Sequence, residues 1–247
     1  MVESGPEAGA AVRALAAARG LGPFFESDTH PSPGRTAWTS LTEDPDLLAV
    51  HVESVRAALG AGPGAPEVPL RIAASLAHLG LVARLLSPLL GAALLSGVLP
   101  VAPAGRVRVQ LAGPNPRPLS LIGVGGAPVD TPDDVAAATA RHWLLPVVGP
   151  FTNAVADLAA LSHQLLEGNV ISAVAGALGM AGRARPELVA GAGATLDAFL
   201  RSGPLAATGT RGADGVFTRR SCCLYYRLPG AGTCGDCVLA ATEPVSW

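Results

Sequence analysis

"RVRVQLAGPNPRPLSLIG", residues 106–123, decides the fold class. Its first six residues alternate charged or polar side chains with Val and Leu, and "PLSLIG" at 118–123 alternates again. A period of two marks a strand with one buried face, and "AGPNPR" between the two runs is rich in turn formers. The stretch therefore predicts a β-hairpin with a longer turn. Everything around it reads as helix. The fold class follows as α+β: a mostly helical body with a small β-hairpin or sheet, and a cysteine-rich segment at the C-terminus.

Working outward, residues 9–19 predict a helix ending at Gly20, and "ESDTHPSPGRT" a loop. "DPDLLAVHVESVRAALG" predicts a helix with Asp44 as cap, Pro45 in the first turn and Gly60 at the close. "AGPGAPEVP" reads as a linker. Helices are expected at 69–85 and 88–99, split at Ser87-Pro88 because proline breaks a helix interior. Beyond the hairpin, "DTPDDVAAATARHWLL" opens a helix capped by Thr131. Helices at 151–167, 169–181 and 186–201 follow, punctuated by Pro150, Gly168, Pro186 and Gly203. "GVFTRR" at 215–220 predicts a short strand leading into the cysteines, and no internal repeat is visible. The division expected is a helical α+β body over 1–205 and a C-terminal segment over 206–247.

The chain of 247 residues is long enough to bury a core without crosslinks. Its apolar content is mainly Ala, Leu and Val, which favours helices. The formal net charge is −2 and every basic residue is Arg. That balance argues against a nucleic-acid partner, which would be met by a basic excess. The start, "MVESGPEAGAAVRAL", has Glu3 and Glu7 before the first Arg and no apolar run, so no secretory signal is expected. "LLSPLLGAALLSGVLPVAPAG", residues 85–105, carries no charge, but its prolines limit the expected helix to Pro88–Leu99. That is too short for about 30 Å of hydrocarbon, so a buried core helix is expected and no integral membrane span.

All four cysteines lie in "SCCLYYRLPGAGTCGDCVL": Cys222, Cys223, Cys234 and Cys237, with the spacing C-C-x10-C-x2-C. A disulfide framework fits poorly, because adjacent cysteines do not readily bond each other and a cytoplasmic compartment keeps thiols reduced. Structural zinc normally takes two C-x2–4-C knuckles, and only Cys234–Cys237 forms one. A [2Fe–2S] cluster also takes four thiolates and spreads them over a larger object. Iron–sulfur and zinc both remain open on this chemistry, the former ahead.

The segment resembles the C-terminal signature of the FhuF-type ferric-siderophore reductases, in which a C-C-x10-C-x2-C run binds one [2Fe–2S] cluster. The four cysteines, "YYR", the "PG" pair and "CGDC" all match. More weakly, residues 71–97 resemble that family's helical body and "LLEGNVISAVAGAL" its Gly-Asn helix junction, with Glu167 where Trp is common. The resemblance implies Cys222, Cys223, Cys234 and Cys237 as cluster ligands. It implies a ferric siderophore, of hydroxamate type, as substrate. It also implies a cytoplasmic location, at closest peripheral to the inner face of the membrane. The chain shows no Walker A sequence, no G-x-G-x-x-G and no flavin or nicotinamide motif, so electrons are expected from an external donor such as a ferredoxin or a flavin-dependent reductase. An electron carrier or redox sensor using the same cluster is the alternative.

The intervening residues have readings of their own. Gly230, Gly232 and Gly235 are expected to let the backbone turn sharply beside the cysteines. Arg219, Arg220 and Arg227 place positive charge near the cluster; they are the candidate substrate-side residues and would favour its reduced form. Tyr225 and Tyr226 are expected to pack. His163 and Glu167 share a helix face and read as an ordinary surface pair. "GVGGAP" at 123–128 reads as loop rather than a phosphate cradle, and "TPDD" as a helix start rather than an acid–base dyad.

Overall fold

The computed structural model describes residues 6–61, 67–113 and 115–240. The centre of the linker expected at 61–69 and the last residues of the 206–247 segment lie outside them. The helices are α1 (Pro6–Ala18), α2 (Ser40–Glu43), α3 (Pro45–Leu59), α4 (Leu70–Ser96), α5 (Pro132–Thr139), α6 (Gly149–Ala159), α7 (His163–Ala184) and α8 (Val189–Arg201). The strands are β1 (Thr36–Ala37), β2 (Val98–Val101), β3 (Val107–Val109), β4 (Leu119–Leu121), β5 (Gly125–Pro128), β6 (Gly209–Arg211) and β7 (Phe217–Arg219). They form three small antiparallel sheets, β1-β3-β4, β2-β5 and β6-β7, against a helical body. This is the α+β class expected.

The deciding hairpin is β3–β4, with Val107 opposite Leu121 and Val109 opposite Leu119, all four buried. β1, at the end of the expected loop, adds a third strand. "GVGGAP" is not loop throughout. Its end is β5, paired with β2 at a place where the sequence suggested the end of a helix. Gly97 takes a left-handed conformation and stops α4, which releases Val98–Val101 for pairing. A Cβ on Gly126 would stand 2.9 Å from Val98 and 3.1 Å from the Glu7 carbonyl, so this glycine serves close packing of α1 on the sheet.

The break expected at Ser87-Pro88 does not occur. α4 runs unbroken for 27 residues with Pro88 inside it. A proline there costs about 3 kcal/mol. Leu85, Leu86, Leu89 and Leu90, all fully buried, each return about 1.5–3 kcal/mol through burial, so continuity wins. Every residue from Arg84 to Ala93 is buried. The same continuity removes the argument that this segment is too short to span a bilayer: α4 and α7 are both long and apolar enough by length and composition. In the fold each has 67% of its most apolar window buried, and the two pack on each other. α4 is the central helix, with α1, α3, α6 and α7 around it.

Two other boundaries move. The expected stop at Pro150 is absent, because α5 passes through a π-helical stretch, Ala140–Val148, directly into α6. The wider turn accommodates Pro146, and Trp143 is anchored there by its indole N–H to the Pro100 carbonyl at 2.9 Å. The stop expected at Gly168 falls instead at Ala160, which is left-handed, and at Ser162, whose hydroxyl caps Leu165 N–H. Gly168 is interior to α7. The start of α5 is as expected: Thr131 and Asp134 form a reciprocal capping box.

Candidate metal centre

The β6–β7 hairpin delivers the chain to the cysteines. Arg220 N–H donates back to the Thr208 carbonyl at 2.9 Å, and Arg219 N–H donates forward to the Asp236 carbonyl at 3.1 Å. The second bond ties the strand end to the Cys234–Cys237 knuckle, itself closed by Cys237 N–H to Cys234 O at 3.2 Å. Between the two cysteine pairs the chain makes a left-handed turn at Leu224, a 3-10 turn over Tyr225–Arg227, and a loop in which Gly230 and Gly232 have φ of +74° and +67°. Those two glycines meet the expectation of sharp turning. Gly235 does not, since its φ is not positive. Tyr225 packs against the core, while Tyr226 is exposed beside Arg227.

This path brings all four cysteines close together, and all four are free thiols. Cys223 and Cys237 are buried; Cys222 and Cys234 are partly exposed. The Sγ atoms of Cys223 and Cys234 lie 3.5 Å apart, within reach of one shared proton. Leu224 N–H donates to Cys222 Sγ at 3.3 Å. Sharing that proton pulls Cys223 down to about 6 and pushes Cys234 up, while burial raises Cys222. One thiolate of the set is therefore accessible near neutral pH, the state that metal ligation requires. Among the described residues no three His, Cys, Asp or Glu side chains close round a single ion position. Four soft sulfurs are the donor set that either a tetrahedral ion or the wider two-iron cluster takes.

The cysteines rest on a polar tie between α4 and α7. Ser75 Oγ donates to the Cys223 carbonyl at 2.8 Å. Asn169 Nδ2 donates to Ser75 O and Oγ at 2.9 and 3.0 Å, and Asn169 Oδ1 accepts from the Arg219 guanidinium at 2.6 Å. Ser172 Oγ donates to the Asp236 carboxylate. Gly168 makes the docking possible: a Cβ there would lie 1.9 Å from Ser221 Oγ and 3.0 Å from the Arg219 guanidinium. The Gly-Asn pair noted in the sequence is thus not a helix junction but the seat of the cysteine segment. Ser75, Ser172 and Asp236 were missed; for the two serines the available signal was a polar side chain on an otherwise apolar helical face, and for Asp236 its place inside the Cys234–Cys237 knuckle.

The three arginines separate. Arg220 and Arg227 are exposed, Arg220 bonded to the Ala207 carbonyl and Arg227 stacked over Tyr226 at 5.8 Å. Arg219, expected on the substrate side, is 1% exposed and lies beneath the segment, so it meets no ligand arriving from solution. His163 and Glu167 are exposed, as an ordinary surface pair would be.

A groove of about 690 Å³ opens beside the knuckle. Its floor is the small-residue face of α7 with Gly176 and Gly179, its far wall is α8 and the β6–β7 hairpin, and Gly235 and Asp236 form its near rim. Arg183, Arg211 and Asp214 also line it, with Arg211 paired to Asp197.

Residues 219–239 match the family model described as the FhuF 2Fe-2S C-terminal domain. No curated protein matches the chain. The matched span holds all four cysteines and Arg219, the residues that the structure gathers on α4 and α7. The protein is therefore an iron–sulfur protein that carries, at residues 219–239, the FhuF-type C-terminal domain with a [2Fe–2S] cluster as its cofactor.

Proposed function

We propose that the protein is a cytoplasmic ferric-siderophore reductase, with Cys222, Cys223, Cys234 and Cys237 as the cluster ligands. The observation that carries the reading is the FhuF-type cluster segment forming the rim of a groove sized for a small molecule. When bound, a four-thiolate [2Fe–2S] cluster supplies reversible one-electron chemistry at this place in the fold. The overall reaction takes one electron from an external donor, a ferredoxin or a flavin-dependent reductase, and converts siderophore-bound Fe³⁺ to Fe²⁺. Hydroxamate oxygens hold the hard ferric ion tightly and the ferrous ion weakly, so reduction releases it. No proton or group is transferred by the protein, and no acid–base dyad is needed.

The chain's own residues position the partners. Gly235 and Asp236, which line the groove, are the sequence neighbours of Cys234 and Cys237, with consecutive Cα atoms about 3.8 Å apart, so the groove adjoins the ligating cysteines. Ser172 holds the Asp236 carboxylate, which keeps the rim in place. The groove carries charges of both signs, which suits a ferric chelate of little net charge better than a strongly anionic one. Arg220 and Arg227, exposed on the cysteine segment, are the candidates for contact with the chelate or the donor. In this reading residues 1–205 supply the floor of the groove and residues 206–247 its rim and the cluster.

The test is anaerobic. The protein is reduced with dithionite, freed of excess reductant, and mixed with ferrioxamine and ferrozine. Visible bands that return while one ferrous complex forms per cluster support the reductase. Bands that stay bleached sink it and leave an electron carrier or sensor with another partner.

A further inference from the structure

Arg219 is a buried cation without an acidic partner. It is 1% exposed, and among the described residues no carboxylate stands within ion-pair distance of it. One guanidinium nitrogen donates to Asn169 Oδ1 at 2.6 Å and, weakly, to the Leu165 carbonyl at 3.4 Å. Its Nε and its other terminal nitrogen are buried with no hydrogen-bond partner, and so is the hydroxyl of the neighbouring Ser221. The other deeply buried arginine shows what a self-sufficient site looks like: Arg84 donates to the carbonyls of Arg117, Phe24 and Glu26. Arg219 has no such cage. A buried charge left unpaired is among the costlier features a fold can hold.

The surroundings do not compensate. His78, whose charge Arg219 also opposes, is fully buried, stacked on Phe151 and bonded at Nε2 to Thr152; burial first, and then the Arg219 charge, keep it neutral. The Asp236 carboxylate is engaged by Ser172. What remains within reach is the cysteine set: the Arg219 charge acts on both Cys222 and Cys223. We propose that Arg219 is the internal counter-ion of the iron–sulfur centre, held by Asn169 and balanced only when the cluster's negative charge is in place. Asn169 orients the guanidinium and, through Ser75, the Cys223 carbonyl, so α4 and α7 fix cation and ligand in one frame.

Two consequences follow from charge alone. A cluster with four thiolates gains a unit of negative charge on reduction, so a fixed cation beneath it favours the reduced state and raises the potential. In the metal-free protein the same cation faces at most one cysteine thiolate in place of the whole cluster, so its removal costs that form less than it costs the loaded form. Arg219 thus weighs unequally on the two forms, which a merely packing residue would not do. The inference rests on the cluster, not on reductase activity.

The experiment compares Arg219→Met and Arg219→Lys with the wild-type protein, by spectroelectrochemistry on the cluster-loaded form and thermal unfolding of both forms. Arg219→Met is expected to lower the midpoint potential by about 59 mV or more, a tenfold change in a one-electron equilibrium. It should lower the Tm of the loaded form by more than that of the metal-free form. Arg219→Lys keeps the charge and should hold the potential close to wild type. An unchanged potential in Arg219→Met, or equal losses of Tm in both forms, would overturn the proposal. Should Arg219→Met fail to fold or load, Asn169→Asp places a carboxylate at the atom that already accepts from Arg219. It should lower the potential and raise the metal-free Tm, and no shift in potential would again overturn the proposal.

Discussion

Cys223 differs from the other three cysteines in how it is held. It is buried, its carbonyl is bonded to Ser75, and its sulfur shares a proton with Cys234. Replacing any of the four by Ser substitutes a harder oxygen for a soft thiolate, so each variant should lose visible absorbance per chain. Cys223→Ser should lose most, at least on the order of tenfold in cluster occupancy, the lower end of what losing even a supporting contact costs a metal site. A fully occupied, stable cluster in Cys223→Ser would contradict its assignment. His78 makes a second residue-level prediction. Burial, aided by Arg219, lowers its pKa from 6.5 to about 3. An unfolded chain takes up that proton below pH 6.5 and the folded chain does not until about pH 3, so stability is full above 6.5 and falls as pH drops between those values. The slope from this side chain approaches about 1.4 kcal/mol per pH unit. Burial and the nearby Arg117 lower His51 to about 4, which adds to the loss over a narrower window. Urea titrations of the metal-free protein at pH 7 and 5 measure this, and His78→Gln should flatten the difference.

At the scale of elements, the two helices that were expected to break are the two that carry the site. α4 passes through Pro88 and α7 through Gly168, and the polar tie of Ser75 and Asn169 joins them beneath the cysteines. Gly168 in α7 and Gly80 in α4 separate intrinsic helix preference from packing. Ala is better than Gly in a helix interior by about 0.5–1 kcal/mol. A Cβ on Gly80 meets nothing within 4 Å, so Gly80→Ala should stabilise by about that amount. On Gly168 it would meet Ser221 Oγ at 1.9 Å. Gly168→Ala should therefore destabilise by about 1–3 kcal/mol and shed cluster faster, because the cysteine segment must lift off α7. Denaturant midpoints of the two variants decide the matter: equal gains would show that Gly168 is not a docking contact.

At the scale of the whole molecule, the cluster segment is not an isolated knuckle. It closes one side of a groove floored by α7 and walled by α8 and the β6–β7 hairpin. Gly176 lies on that floor with open space where a side chain would start. Gly176→Phe should fill the groove, raise KM for the ferric chelate about tenfold and leave cluster spectrum and potential unchanged. An unchanged KM would place the chelate elsewhere. Much of this was legible in the sequence because it is local. Period-two alternation gave away β3–β4, capping residues marked α3 and α5, and four cysteines in one short segment pointed to the cofactor. The rest depends on contacts between residues distant in the chain. Whether Pro88 or Gly168 ends a helix depends on what is packed against it, since burial of neighbouring leucines outweighs a missing hydrogen bond and a glycine can serve a contact as well as a break. Whether Arg219 faces solvent or the interior depends on the surface that covers it, which α4 and α7 supply from 50 or more positions away in sequence. Sequence alone therefore determined the cofactor chemistry and the fold class; only tertiary packing decided which charges are buried, where the groove opens and what holds the cluster segment in place.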